Sequence, residues 1–219
     1  MIFLIEKFIS IQGEGVLIGT PALFIRLAKC NLRCPWCDTK YSWEEGRAVS
    51  VSSLVEDVIN LDLPLTVLTG GEPLLQQREL KDLIEKSRER DYKGLFQIET
   101  NATIEPKELR GLEGVLLTLS PKVTCDYYKA SPKLVKKILE DYSDMVLELK
   151  LVARKSDLPC VKDFLSKMGD ISKPIILQPL YEKEYEKEAR ELVEAVLEDN
   201  DLKKRVRVIP QVHKFLKID

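Results

Sequence analysis

The chain has 219 residues and a mass of 25.1 kDa, 44% hydrophobic and 32% charged. At ~100–200 residues per domain it reads as one domain, 1–219, long enough to bury a core without disulfide staples. Its 34 basic and 36 acidic residues leave a net charge of −2, which argues against a general nucleic-acid binder, because that role needs a basic field. No apolar run approaches the ~20 residues that span a bilayer. Met1 to Ile5 meets the charged pair Glu6-Lys7 too soon for a signal-peptide core. A soluble cytoplasmic protein with no membrane or nucleic-acid partner is expected. The lean of its charges towards Glu and Lys fits a heat-adapted source.

Ile2 to Phe8 and Ala22 to Ala28 read as strands. Ser50 to Leu61 is a helix capped by Ser50 or Ser52, with Leu54, Val55, Val58 and Ile59 on its apolar face. A short strand, Leu65 to Leu68, ends at Thr69-Gly70-Gly71, and a helix over Gln76 to Asp91 buries Leu80, Leu83 and Ile84. Leu95 to Ile98 and Val115 to Leu119 are strands; Ser131-Pro132 opens a helix to about Asp141, with Pro132 at its first position. Met145 to Val152 is a strand, Leu158 to Met168 a helix, and Ile175 to Leu177 a strand. Tyr185 to Leu197 is a helix with Tyr185, Ala189, Leu192, Val193 and Val196 inward and the pairs Glu186–Arg190 and Lys187–Glu191 outward. Val206 to Ile209 closes the series.

Strands separated by helices imply βαβ units and a parallel sheet. A full eightfold barrel takes ~250 residues, so the expected fold is α/β, a partial, open TIM-like barrel of parallel strands. Loops at strand ends converge on one face in such folds. The polar motifs fall at such ends: Cys30–Cys37, Thr69–Pro73, Glu99–Asn101, Ser120–Lys122, Glu148/Lys150 and Gln178–Pro179. They predict one shared site.

Of five cysteines, Cys30, Cys34 and Cys37 form C-x3-C-x2-C. Three thiolates on one loop suit zinc or an iron–sulfur cluster. Structural zinc takes four ligands, but no second cysteine pair exists and His213 is the single histidine. Cys125 and Cys160 lack a partner motif and read as buried small hydrophobes. Gly70-Gly71 after a strand allows close backbone approach, and the Glu72 carboxylate can accept from an ammonium group. Arg26 inside the apolar run ALFIRLA needs either a bound anion or a salt bridge.

The three-cysteine spacing, Trp36 before the last cysteine and the GGEP segment resemble the radical S-adenosylmethionine (SAM) superfamily. Ser10-Ile11-Gln12-Gly13-Glu14-Gly15, Gly19-Thr20-Pro21-Ala22, Cys37-Asp38-Thr39, Glu99-Thr100-Asn101, Ser120-Pro121-Lys122, Glu148-Leu149-Lys150, Gln178-Pro179 and Gln211-Val212-His213-Lys214 narrow it. In order, from about residue 8 to the end, they resemble the 7-carboxy-7-deazaguanine synthase family. The resemblance implies a radical SAM core with a [4Fe–4S] cluster on Cys30, Cys34 and Cys37. It implies cleavage of SAM to a 5′-deoxyadenosyl radical and removal of the C6 hydrogen of 6-carboxy-5,6,7,8-tetrahydropterin. Ring contraction and loss of ammonia follow, SAM is regenerated, and the product feeds queuosine or archaeosine in tRNA. A flavodoxin- or ferredoxin-type electron donor and a homodimer are implied as well.

Carried onto this sequence, the resemblance places Ile11, Gln12, Gly13, Arg26, Thr69, His213 and the C-terminal Asp219 at the substrate, and Glu14 and Glu99 among the catalytic groups. It places Gly71, Glu72, Ser120, Pro121, Lys122, Gln178, Pro179, Leu180 and Tyr181 at SAM. Thr39 is the Mg²⁺ position, with Asp38 beside it. The types make sense: Gln12 offers a donor and an acceptor to a pterin edge, and Arg26 can hold a carboxylate bidentately. One departure stands out. Ala102 follows Glu99-Thr100-Asn101 where the family has Gly, and Ala would be strained at positive φ. Two other readings carry different tests. A glycyl-radical activase would share the cysteines and GGEP but lack the SIQGEG and QVHK segments. A zinc-binding interaction module would be colourless, whereas an iron–sulfur protein is brown.

Overall fold

The computed structural model describes residues 1–218; Asp219 lies outside the described residues. The elements run β1 (Ile2–Ile11), β2 (Pro21–Leu27), β3 (Arg47–Val49), α1 (Val51–Leu61), β4 (Leu65–Gly70), α2 (Gln77–Glu89), β5 (Leu95–Thr100) and β6 (Val115–Leu119). A hairpin of β7 (Val123–Thr124) and β8 (Tyr127–Tyr128) follows, then α3 (Pro132–Asp141), β9 (Val146–Ala153), α4 (Leu158–Met168), β10 (Ile175–Pro179), α5 (Tyr185–Glu198), α6 (Leu202–Arg205), β11 (Val206–Val208) and α7 (Val212–Leu216).

One nine-stranded sheet carries the fold, in the order β11-β10-β9-β6-β5-β4-β2-β1-β3, so it is open with β11 and β3 at its edges. Strands from β2 to β11 pair in parallel. The expectation of parallel strands throughout needs one correction. β1 is antiparallel to β2, and β3 to β1, because the link from β1 to β2 is a short turn rather than a helical crossover. No helix is long and apolar enough to cross a membrane among the described residues.

Sequence chemistry explains the helix starts. The Ser50 hydroxyl, not Ser52, accepts the Ser53 N–H at 3.1 Å and caps α1. Ser131 caps α3 in the same way, with Pro132 in its first turn. In α5, Val193 is 38% exposed rather than buried, and Lys187 pairs with Glu184 at 3.0 Å instead of Glu191.

The sheet separates two environments. Leu23, Ile25, Leu27, Leu68, Phe96, Ile98, Leu117, Leu149, Leu151 and Leu177 join the main core with the helices. The alternate residues of the same strands face the other way, into the concave side. Two β-bulges set which residues those are. On β1 the register jumps from Leu4↔Leu27 to Glu6↔Arg26. On β9 it jumps from Val146↔Leu117 to Glu148↔Thr118. Each bulge spends one extra residue and turns the following side chains to the opposite face. Ile2 and Leu4 therefore pack in the core, while Glu6 and Phe8 border the concave cavity.

Cys125 and Cys160 correct the sequence reading. They are bonded to each other, 35 residues apart in sequence with Cα atoms 5.5 Å apart. Neither is buried: Cys125 sits at the tip of the β7–β8 hairpin and Cys160 in the first turns of α4, where the surface brings them together.

Ala102 does adopt positive φ, +57°, and is 1% exposed. Its N–H is taken by the Thr100 hydroxyl at 3.1 Å, which holds the turn. Ala102→Gly relieves left-handed strain of ~1–2 kcal/mol but gives up ~0.8 kcal/mol of methyl burial and ~0.5–1 kcal/mol of chain entropy. Denaturant unfolding should place it within ~1 kcal/mol of the parent, whereas Ala102→Val should lose ~2–4 kcal/mol from strain and overpacking.

Candidate active site

A row of polar side chains crosses the concave face, one each from the six strands β1, β2, β4, β5, β6 and β9. Glu6 stands opposite Arg26, Arg26 beside Thr69, Glu99 beside Thr118, and Thr118 beside Glu148. The Thr69 hydroxyl closes the remaining gap by donating to Glu99 at 3.1 Å. In a sheet this deeply buried such a row persists only if each group finds a partner. Above it lies a cavity of about 430 Å³.

Beside the row, two residues beyond Glu148 on the same face of β9, is Lys150, its side chain only 5% exposed. Its ammonium bonds Glu14 from the turn after β1 and lies 3.3 Å from Glu99. The Gln211 amide donates to the other Glu14 oxygen at 2.6 Å. Burial works against the Glu14 carboxylate, but the Lys150 ammonium and the Gln211 bond outweigh it and hold its pKa at about 2. Burial alone would discharge Lys150; Glu14 and Glu99 beside it instead raise its pKa above the ordinary lysine range. Burial pushes Glu148 up, towards the neutral acid, against Lys150, the Val16 N–H and the Thr118 hydroxyl. Gln12 is already committed. Its amide donates to Gln97 at 2.6 Å and Glu99 at 3.3 Å, and its oxygen accepts the Glu14 N–H at 3.1 Å. It braces the Glu99 carboxylate and the Glu14 backbone rather than presenting a free edge. Arg26 resolves as a salt bridge to Glu6 through Nε at 2.7 Å, with its guanidinium 5.6 Å from the Phe8 ring centre. Tyr41 donates to the same Glu6 oxygen at 2.8 Å.

Cys30, Cys34 and Cys37 line the same cavity. Burial pushes the Cys30 and Cys34 thiols up. Their loop is braced on two sides. Asn31 exchanges hydrogen bonds with Asn101 and Thr103 at 2.9 and 2.7 Å. On the other flank the Arg33 N–H donates to the Tyr127 hydroxyl at 3.0 Å, and Trp36 meets the Tyr127 ring edge-on at 5.3 Å. Gly71 presses against the start of the loop and Gly70 against the end of β2 that leads into it. A Cβ on Gly71 would fall 2.0 Å from the Lys29 carbonyl oxygen, and one on Gly70 2.1 Å from that of Leu27. The glycine pair is thus required by backbone contact. The Glu72 side chain does not reach the cavity. It is fully buried and accepts from the Leu74 and Asn101 N–H groups and the Thr100 hydroxyl. Its place is to tie the β4 and β5 ends together.

Among the described residues, no three His, Cys, Asp or Glu side chains converge on a point that one metal ion could take. Thr39 borders the cavity with its hydroxyl donating to Asp38 at 2.7 Å, and Lys214 lies 3.3 Å from Asp38.

Ser120, Lys122, Gln178, Leu180 and Tyr181 border the cavity, whereas Pro121 and Pro179 are buried behind it. Lys122 donates to Ser120 at 3.0 Å. Gln178 is 3% exposed, and its Oε1 has no hydrogen-bond partner. An orphaned acceptor in a cavity wall marks where a ligand donor is missing. The C-terminal segment folds back over the site. Val212 N–H donates to the Gly13 carbonyl at 2.9 Å, and His213 packs so closely that a Cβ on Gly13 would meet its ring at 2.1 Å. Burial lowers the His213 pKa, against the pull of Glu14, and so favours the neutral imidazole. Ile11 completes the wall beside Gln12. Lys150, Gln211, Gln97 and Tyr127 are the participants that motif reading left unassigned. The signal for Lys150 was present: Glu148 and Lys150 are charges two apart in an apolar strand, hence on one face.

The radical SAM superfamily model matches residues 24–173. The chain is 39% identical over 222 residues to the 7-carboxy-7-deazaguanine synthase of Aquifex aeolicus, covering 98% of this chain and 93% of that protein. It is 37% identical to that of Hyperthermus butylicus over 80% of this chain and 76% of that protein. The crystal structure of QueE from Escherichia coli superposes with a TM-score of 0.72 and 27% identity, covering 97% of this chain and 94% of the other.

The depressed Glu14 pKa has a stability consequence. Because its folded value lies below the unfolded one, the contribution is full above about pH 4.5 and is lost as pH falls through about 2. Denaturant unfolding of the parent and Glu14→Gln across that window should show the parent's advantage shrinking by on the order of 3 kcal/mol. Parallel curves would mean that Glu14 does not hold its charge against Lys150.

Proposed function

The chain belongs to the radical SAM superfamily and, within it, to the 7-carboxy-7-deazaguanine synthases, and from that premise we propose how its cavity works. It is a radical SAM enzyme that converts 6-carboxy-5,6,7,8-tetrahydropterin to 7-carboxy-7-deazaguanine with loss of ammonia. The observation that carries the residue-level reading is that the three thiols and the Glu14–Lys150–Glu99 wall border one cavity.

Cys30, Cys34 and Cys37 would hold three irons of a [4Fe–4S] cluster and leave the fourth open to SAM. When bound, that pair supplies a 5′-deoxyadenosyl radical able to take hydrogen from C6 of the pterin. Gln178 offers its orphaned Oε1 to a SAM donor group, while Ser120, Lys122, Leu180 and Tyr181 form the wall along which SAM lies. Gly71 shapes that end by letting β4 abut the cysteine loop. Glu14 and Glu99 present carboxylate oxygens to the N–H donors of the pterin. Arg26 spends Nε on Glu6, so its two terminal nitrogens can take the substrate carboxylate as a fork. Ile11, Gly13, Thr69 and the neutral His213 close around the ring, and the segment folded over the site limits water. Mg²⁺ would take the Thr39 hydroxyl beside Asp38 and complete its shell with substrate oxygens and waters. A flavodoxin- or ferredoxin-type protein in the cytoplasm supplies electrons, and the working unit is a homodimer.

Anaerobic reconstitution with iron and sulfide, then reductant, SAM, Mg²⁺ and substrate, should give 7-carboxy-7-deazaguanine by mass. Alanine at any of Cys30, Cys34 or Cys37 should abolish turnover and the brown chromophore. Release of 5′-deoxyadenosine without that product would keep the radical chemistry and move the substrate. Arg26→Ala should raise the substrate KM by ~10–100-fold, the worth of a charge-assisted fork.

A further inference from the structure

We propose that Lys150 is the positioning residue of this site: one buried ammonium on β9 holds the carboxylates of Glu14 and Glu99 at the spacing and charge that receive the pterin. The inference rests on the functional reading above and assigns the part that reading leaves open, namely what keeps two mostly buried carboxylates charged in the cavity wall.

The geometry carries it. Glu14 stands on the turn after β1, Glu99 on β5 and Lys150 on β9, so no local sequence relation links them. Their side chains are 15%, 18% and 5% exposed. Each carboxylate has a second tether that fixes direction: Gln211 on Glu14, and Thr69 and Gln12 on Glu99. None of those tethers carries charge. Lys150 is the cation that bonds both, and it borders the cavity itself. The groups facing this trio are Glu148 on the same strand face, neutral His213 from α7 and the Tyr185 hydroxyl from α5. With Glu148 pushed towards its acid form and His213 towards its neutral form, neither replaces the Lys150 charge. Without the ammonium, Glu14 loses the interaction that keeps its proton off in a buried setting. It would then take up a proton and offer an O–H donor where the substrate needs an acceptor.

Lys150→Met tests this by pH profile. In the parent, kcat/KM should be flat on the acid side near neutrality. In Lys150→Met it should fall ~100-fold at pH 7, the scale of breaking a buried ion pair, and recover part of the loss as pH rises towards 9. A uniform loss at all pH values, or an unchanged profile, would overturn the proposal, because a purely structural defect does not titrate. A readout independent of turnover separates this from failure of the functional reading. The pH window of Glu14's stability contribution should move and change sign in Lys150→Met: the parent loses stability as pH falls from 4.5 towards about 2, whereas the variant, its folded pKa now above 4.5, should lose it as pH rises from 4.5 towards that raised value. If the parent forms no 7-carboxy-7-deazaguanine yet this window moves, the functional reading fails and the Glu14–Lys150 link stands. If the window stays put, the positioning role is overturned whatever the product. Should Lys150→Met not fold, Lys150→Arg carries the test. It keeps charge with altered reach, so it should lower kcat while the acid side of the profile stays flat; an acid limb in that variant would overturn the role.

Discussion

The site depends on placing charges in a wall where little water reaches them. A lone ammonium or carboxylate buried this deeply would discharge itself or unfold the wall around it. Lys150, Glu14 and Glu99 avoid that by pairing with one another, and the neutral donors Gln12, Thr69 and Gln211 add bonds that fix the carboxylates while leaving acceptor capacity on their oxygens. The arrangement reaches from the first strand to the last helix. The chain must therefore be fully folded before the carboxylates exist as a pair. The same bonds explain why the C-terminal segment lies over the cavity: Gln211 is both the start of α7 and a ligand of Glu14.

A second constraint governs the cysteine loop. Three thiolates on a loop have no rigidity of their own, and a cluster needs them held apart in a fixed triangle. The protein supplies the frame from outside. Gly70 and Gly71 give up their side chains so that the end of β4 can touch the backbone of Leu27 and Lys29, where β2 leads into the loop. Glu72 ties that turn to Thr100 and Asn101, and Asn101 reaches on to Asn31 inside the loop. Tyr127 supports the opposite flank from a hairpin whose tip is bonded to α4 through Cys125 and Cys160. Glu72, which motif logic places against SAM, is instead the buried knot of this frame.

Two β-bulges join these halves. Along β1, Leu4 and Glu6 share the same parity, as do Val146 and Glu148 along β9. Regular strands would put each pair on one face, burying a carboxylate among leucines or a leucine in the cavity. One extra residue at each bulge separates them. Core and site can then be written on the same strands.

Much of this was legible in the sequence. The cysteine spacing, the Gly-Gly-Glu-Pro turn and the polar ends of apolar strands depend on short-range chemistry: ligand count, backbone clearance and the period of a helix or strand. Those signals located β1, β2, β4, β5, β6, β9, β10 and β11 and the open α/β architecture, while the family resemblance supplied most of the cavity-lining residues and marked Ala102 as strained wherever its position takes positive φ. What they could not reach are relations between residues far apart in the chain. The antiparallel β1–β2 pairing, the parity changes at the bulges, the Cys125–Cys160 bond, the occupation of Gln12 and Glu72, and the meeting of Lys150 with Glu14 are all fixed by register and close packing. Residue type says what a side chain can do. Only the tertiary structure decides which partner reaches it first, because a buried donor or acceptor is satisfied by whatever the fold brings within about 3 Å.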